Sequence, residues 1–399
     1  MVMAESGVSR SPVDVLWLTN IPTPYRHARF RLLSSALATR GRSFFVVYMA
    51  GQHANRFWSY EKDEAPYPHT VLRGISFRVR STTFHFNPSI DEHLRSGPRL
   101  VVVGGVHNPT AWYAMMARRE STRAALMVES NLDSEKRTRG VAAAIKTWMI
   151  GRADAYVVPG QASLPYLTSR FAAAEERPTL LLPNIIDEAS FPERGSDAAM
   201  LARKRLRSEW GISEGERVIV IPARLEAFKG IPDLVLSLNS FEAPLACTFV
   251  FAGEGSLRRD VEELASRHRI RVLGQLPSSA MGDLYAASDV MLLPSRRDPS
   301  PVSVVEAIRC GLPVALSTAV GNSKEALVAN KNGWSFEPAD VNALANILRQ
   351  VCTVHRTTLD SMGRYSAEVY ETRFQSHVVV DRVASGFDEL LTQDERDLR

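Results

Sequence analysis

The feature that most limits what this chain can fold into is a rhythm. Short, nearly unbroken apolar runs alternate with segments of helical spacing. In the first half the runs are Val13–Thr19, Phe44–Met49, Leu100–Val103, Ala125–Val128, Ala155–Val158 and Leu180–Leu182. They show little strict alternation, which suits strands of a parallel sheet buried on both faces. Between them, Arg26 to Arg40 sets Phe30, Leu33 and Leu37 at helical spacing, and Gly41 follows as a helix stop. A charged stretch from Glu193 to Glu216 carries no strand signal. The rhythm then restarts with Val218–Ile221, Thr248–Phe251, Ile270–Leu273, Val290–Leu293 and Val314–Leu316. A chain of 399 residues exceeds one ordinary core. The expectation is therefore two successive doubly wound α/β domains, each binding ligands beyond the carboxyl ends of its strands.

Charge and cysteine content narrow the function classes. A formal charge of +4 favours anionic ligands or an anionic membrane surface. No zinc finger, RNP motif or lysine-rich tail points to nucleic acid. Cys247, Cys310 and Cys352 are far apart and lack C-x-x-C spacing, which predicts free buried thiols in a reducing cytoplasm and no zinc site. Residues 1–12 read as a disordered tail without the apolar segment of a secretory signal, and no run has the length of a membrane helix.

Three motifs follow strands of the second half. Pro222 to Gly230 places Arg224 and Lys229 five residues apart on a strand-to-helix loop, where they converge on one anion or stand as solvated charges. Phe251-Ala252-Gly253-Glu254-Gly255 puts glycines at a turn, suiting close backbone approach of a ligand or the turn's own geometry; the further small residues of a dinucleotide fingerprint are lacking. The longest motif runs from Ser295 to Val314. Asp298 and Glu306 stand eight residues apart around a helix start marked by Pro299, Ser300, Pro301 and Ser303. The helix start offers N–H groups to a diphosphate while the two carboxylates accept bonds from hydroxyls. The alternative is helix-end charge compensation by Asp298 and a surface role for Glu306.

The order R-x4-K, G-x-G, then [DE]-x7-E-A-x-x-x-G-x-P-V closely resembles retaining GT-B glycosyltransferases of family four, the glycosyl transferases of group 1. The run Gly321 to Glu325, followed by Asn330 to Trp334, looks like that family's G-x-x-E and N-G stretch. The resemblance implies a GT-B fold: two facing Rossmann-like doubly wound domains, with the C-terminal helix crossing back. It divides the chain into an acceptor domain at 13–190, a nucleotide-sugar domain at 191–373 and a returning helix at 374–399. It further implies that Arg224 and Lys229 bind the donor diphosphate, Glu306 the ribose hydroxyls and Asp298 the transferred sugar. Backbone N–H groups at Val302 and Ser303 would contact phosphate, Gly253 and Gly255 would line the donor, and Leu276 would lie near the base. The chain departs from the family in two places here: Asp298 stands for a Glu, and Pro301 for a Gly.

The first half resembles a branch with a P-x-P-Y-R turn, here Pro22 to Arg26, in place of a glycine pair. Tyr25 and Arg26 would meet acceptor or phosphate, or only form a rigid turn. His107, in Val103 to Pro109, corresponds to the family's His near the donor sugar. Glu129 would orient or deprotonate an acceptor hydroxyl, or compensate a helix end. Pro183 to Asp187 resembles the segment before the interdomain linker and reads as a hinge. Lys136, Arg137, Arg139, Lys146 and Arg152 gather around Trp148, Met149 and Ile150, as a membrane-docking patch or as a solvated face over a core stripe.

The resulting expectation is a retaining enzyme that moves a sugar from a UDP- or GDP-linked donor to a hydroxyl of a glycan or lipid-linked acceptor. It would need no metal or cofactor and no nucleic acid. It would work in the cytoplasm, with peripheral contact to the inner membrane face. The rivals are a sugar-nucleotide epimerase or hydrolase, and a non-catalytic scaffold.

Overall fold

The computed structural model describes residues 13–51, 66–79, 82–132, 135, 139–213 and 215–397, without the side chains of 24, 25 and 394–397. Residues 1–12, expected to form a tail, and Lys136 and Arg137 lie outside the described residues, as does the side chain of Tyr25. The chain divides into two compact units. The first runs to Pro159 and adds Ser163–Ile185 and the segment from Ser376; the second holds Gly160–Ala162 and Ile186–Gln375.

In the first unit the elements are β1 (Val15–Thr19), α1 (Pro24–Ala38), β2 (Phe44–Tyr48), β3 (His69–Val71), β4 (Ile75–Val79), β5 (Thr82–Phe86), α2 (Ile90–Arg95), β6 (Leu100–Val103), α3 (Pro109–Ala117), β7 (Arg123–Met127), α4 (Val141–Arg152), β8 (Ala155–Val158), α5 (Leu164–Arg170) and β9 (Thr179–Leu181). The main sheet is parallel, in the order β3-β2-β1-β6-β7-β8-β9. Unbroken apolar runs build it because both faces are covered. Val15 and Trp17 enter one core; Leu16 and Leu18 enter the other. Three parts of this unit lay below the apolar-run signal. The short β3 begins with His69-Thr70, and β4 and β5 form a separate antiparallel hairpin with polar residues on both strands.

The second unit continues with α6 (Asp197–Glu209), β10 (Arg217–Ile221), α7 (Ile231–Asn239), β11 (Cys247–Ala252), α8 (Arg258–Glu263), β12 (Arg269–Gly274), α9 (Ser278–Ala287), β13 (Val290–Leu293), α10 (Val302–Arg309), β14 (Val314–Ser317), α11 (Ser323–Ala326), β15 (Gly333–Phe336), α12 (Val341–Thr353) and α13 (Arg356–Val369). Its parallel sheet runs β12-β11-β10-β13-β14-β15. Strand order thus reverses between β10 and β13. That switch point is where open α/β sheets bind ligands, outside the carboxyl ends of the strands. A π-helical turn at Tyr370–Phe374 leads into α14 (Ser376–Asp397). This last helix belongs to the first unit. Val379, Val383 and Phe387 fill the core that holds Trp17 and Phe30, and the Trp17 and Phe387 rings sit 6.1 Å apart.

The cysteines correct the reading of free thiols. Cys247, at the start of β11, is bonded to Cys352, near the end of α12; only Cys310 is free, and it is buried. Their 105-residue separation hid the pair, because sequence spacing carries no information about two elements packed on one sheet. Among the described residues no helix is long and apolar enough to cross a membrane, and no group of His, Cys, Asp and Glu is placed to hold a metal ion.

Candidate functional site

Two loops flank the β10/β13 switch point, and glycines let them meet. After β10 the chain runs through Arg224 to Lys229 and then Gly230, whose φ is +72°. A Cβ at Gly230 would lie 1.8 Å from the Pro294 carbonyl oxygen, on the loop after β13. No side chain fits there, so Gly230 is what allows the loops to touch. The backbone completes the join, for the N–H groups of Arg296 and Arg297 donate to the Phe228 carbonyl at 3.0 and 3.2 Å.

Gly253 and Gly255 serve the same assembly. A Cβ at Gly253 would approach the Ala223 carbonyl oxygen to 2.1 Å, and one at Gly255 the Leu225 carbonyl oxygen to 2.3 Å. The Leu225 N–H donates to Glu254 and the Leu257 N–H donates back to Leu225. These glycines therefore admit the Arg224 loop's own backbone. That need is sufficient to explain them without any ligand.

The candidate side chains gather on this base. Lys229 forms an ion pair with Asp298, and both are largely buried. Asp298 is further anchored through its backbone, with its N–H donating to Ala319 and its carbonyl accepting from Gly321. The Lys229 ammonium stands 5.7 Å from the Phe228 ring centre, and the Arg224 guanidinium 4.8 Å from it. Helix α10 starts at Val302 after Pro301, with no side chain capping it. Its first N–H groups, at Val302 and Ser303, consequently have no partner within the helix. Asn322 donates to the Pro301 carbonyl at 3.0 Å, which ties the helix start to the next loop.

Glu306 lies one turn along α10. Its Oε2 accepts a 2.8 Å bond from the hydroxyl of Tyr285, a fully buried residue of α9. Burial pushes the Glu306 carboxyl up to about 7, against the Tyr285 bond, which favours the charged form. Burial and then the Glu306 charge raise the tyrosine's own pKa. A cavity of about 190 Å³ lined by Tyr285, Cys310, Leu312 and Ala199 abuts this tyrosine; Arg224, Lys229 and Asp298 do not line it. Leu276 is half-buried and packs on the core of the unit.

The remaining candidates belong to the first unit, whose strand order reverses between β1 and β6. His107 is exposed after β6, with its ring edge-on to Phe84 at 6.0 Å. The neighbouring Asn108 is buried and donates to Asn20 Oδ1 at 2.9 Å, joining the loops after β6 and β1. Glu129 is exposed just past β7. Arg26 donates to the Ile21 carbonyl at 2.7 Å, so it braces the first loop. In the basic patch, Met149 and Ile150 prove to be core residues, while Trp148 and Arg139 are exposed and Lys146 pairs with Glu135.

Sequence reasoning passed over Phe228, Arg297 and Tyr285. Phe228 sits inside the R-x4-K motif and Arg297 directly before Asp298, so the motifs themselves contain both. Tyr285 carried no signal, because an aromatic residue in an apolar helix reads as core.

Comparison with known proteins bears on the family resemblance and the fold. Residues 202–368 match the family model described as Glycosyl transferases group 1. Over 218 residues the chain is 25% identical to N-acetyl-alpha-D-glucosaminyl L-malate synthase of Bacillus anthracis, covering 53% of this chain and 54% of that protein. Over 213 residues it is 26% identical to glycogen synthase of Mycobacterium tuberculosis, covering 52% and 48%. The chain thus spans about half the length of the curated relatives it matches. Among solved structures, Anabaena HepE in complex with UDP superposes with a TM-score of 0.71 at 18% identity, over 94% of this chain and all of that one. The chain accordingly has the GT-B fold, α/β with two Rossmann-like units, and its second unit carries the segment that matches the group 1 glycosyl transferases.

Proposed function

We propose that the protein is a retaining glycosyltransferase that moves a sugar from a UDP- or GDP-linked donor to a hydroxyl of a glycan or lipid-linked acceptor. The observation that carries this reading is the convergence of Arg224, Lys229, Asp298 and the open start of α10 at one switch point, with Glu306 one turn further. Cations and helix N–H groups are what a diphosphate leaving group needs as negative charge builds on it. Lys229 would exchange or share its Asp298 contact with phosphate, leaving the carboxylate to meet hydroxyls of the transferred sugar. Glu306 would accept from the ribose hydroxyls. These cationic groups would do the work otherwise given to a divalent ion. His107 and Glu129 would serve the donor sugar and the acceptor hydroxyl respectively. Retention would follow if the acceptor attacks from the face of the departing diphosphate. The relatives are consistent with this class, since several are named as glycosyltransferases or glycogen synthase.

The test is a binding and turnover panel of UDP- and GDP-sugars, run on the wild type and on Lys229→Ala. Every donor that binds should weaken in the variant by about 1.5–3 kcal/mol, the worth of a charge-assisted bond. Product analysis by NMR should show the anomeric configuration of the donor. Absence of binding to every sugar nucleotide, or an inverted product, defeats the assignment.

A further inference from the structure

The loop before Asp298 carries two adjacent arginines with opposite fates. Arg296 is committed to structure. Its guanidinium makes a two-point contact with the buried Asp233, at 2.7 and 2.5 Å. Arg297 has no carboxylate partner among the described residues, and its guanidinium stands 5.9 Å from the Phe228 ring centre. Arg224 and Lys229 lie over the same ring. Three cations therefore surround one aromatic side chain. The backbone bonds from Arg296 and Arg297 to the Phe228 carbonyl hold the second loop against the first.

Two of the three cations have acidic neighbours. Lys229 is paired with Asp298. Arg224 feels Glu226, whose carboxylate is turned to the Ser256 N–H and hydroxyl. Arg297, although next to Asp298 in the chain, forms no ion pair among the described residues. Gathering like charges is unfavourable, and the faces of one ring offset only part of that repulsion. Such an arrangement is relieved when an anion of matching charge arrives. A diphosphate is such an anion, and the planar guanidinium suits two of its oxygens at once.

We infer that Arg297 is a third diphosphate-binding side chain, held beside Arg224 and Lys229 by the Phe228 ring. This rests on the nucleotide-sugar reading and extends it. In consequence, diphosphate recognition does not depend wholly on Lys229, whose charge Asp298 already engages.

The experiment is calorimetric titration of the full chain with UDP, GDP, uridine, guanosine and pyrophosphate at several salt concentrations. Arg297→Ala should weaken the better-bound nucleoside diphosphate by roughly tenfold or more, and lessen its salt dependence, with little change for the matching nucleoside. Arg297→Lys should recover part of the loss. Two results overturn the inference while leaving the donor site standing: wild-type affinity for UDP and GDP in Arg297→Ala, or an equal loss for nucleoside and diphosphate. If the wild type binds neither nucleoside diphosphate, the nucleotide-sugar reading itself fails, and this inference with it.

Discussion

At the scale of single residues, Glu306 behaves least like its sequence neighbours suggest. A helical glutamate near the surface is ordinarily charged at neutral pH. Here burial raises its carboxyl to about 7, and the Tyr285 hydroxyl works against that rise. The folded state holds the proton more tightly than the unfolded chain, so stability is lost as pH climbs from the ordinary glutamate value of 4.5 to about 7. Glu306→Gln removes that penalty. Its melting temperature should match the wild type at pH 5 and exceed it at pH 8; under the proposed ribose contact, donor binding should weaken, because the amide offers one acceptor oxygen where the carboxylate offers two. Tyr285→Phe should shift the midpoint of the pH dependence upward, since its bond to the charged form is gone. Thermal melts and nucleotide titrations across pH 5–9 check both. A midpoint unmoved in Tyr285→Phe would separate the tyrosine from the titration.

At the scale of elements, the site is a product of loops forced into contact. Gly230 is the tightest point. A Cβ there meets the Pro294 carbonyl at 1.8 Å, and φ of +72° already disfavours any other residue. Gly230→Ala should lower stability by about 2–4 kcal/mol, combining backbone strain with a steric shift. Because the Arg224 and Arg297 loops would separate, nucleotide affinity should fall as well, measured at a temperature where the variant is folded. Retained affinity would mean that the cations do not need the two loops joined. The motifs themselves were legible, since their order along the chain places each one just after a strand. Their mutual contact was not. Lys229 and Asp298 are 69 residues apart, and no local pattern announces that one neutralises the other.

At the scale of the whole molecule, the last helix decides whether the first unit holds together. Helix α14 supplies Val379, Val380, Val383, Ala384, Phe387, Leu390 and Leu391 to the core around Trp17 and Phe30. Burying a large apolar side chain contributes about 1.5–3 kcal/mol, so the set exceeds the margin of an ordinary domain. Ending the chain at Gln375 should therefore unfold the first unit, seen as rapid proteolysis of residues 13–185. Phe387→Ala in the full chain should cost about 3–5 kcal/mol, measured by denaturant unfolding. A protease-resistant truncated first unit would contradict this account of its core.

Sequence by itself determined the two-unit α/β plan and which motif follows which strand. Val218–Ile221 and Val290–Leu293 are continuous apolar runs because their strands are covered on both faces, and that pressure acts on consecutive residues. The hairpin β4–β5 and the short β3 left no such trace, since sparse burial selects no pattern. Only the tertiary structure decided the rest. It joined Cys247 to Cys352, set Tyr285 against Glu306, gave Gly253 and Gly255 a backbone to admit, and drew Arg297 onto Phe228. Each of these joins elements far apart in sequence, and the sheet order β12-β11-β10-β13-β14-β15 is not the order of the chain.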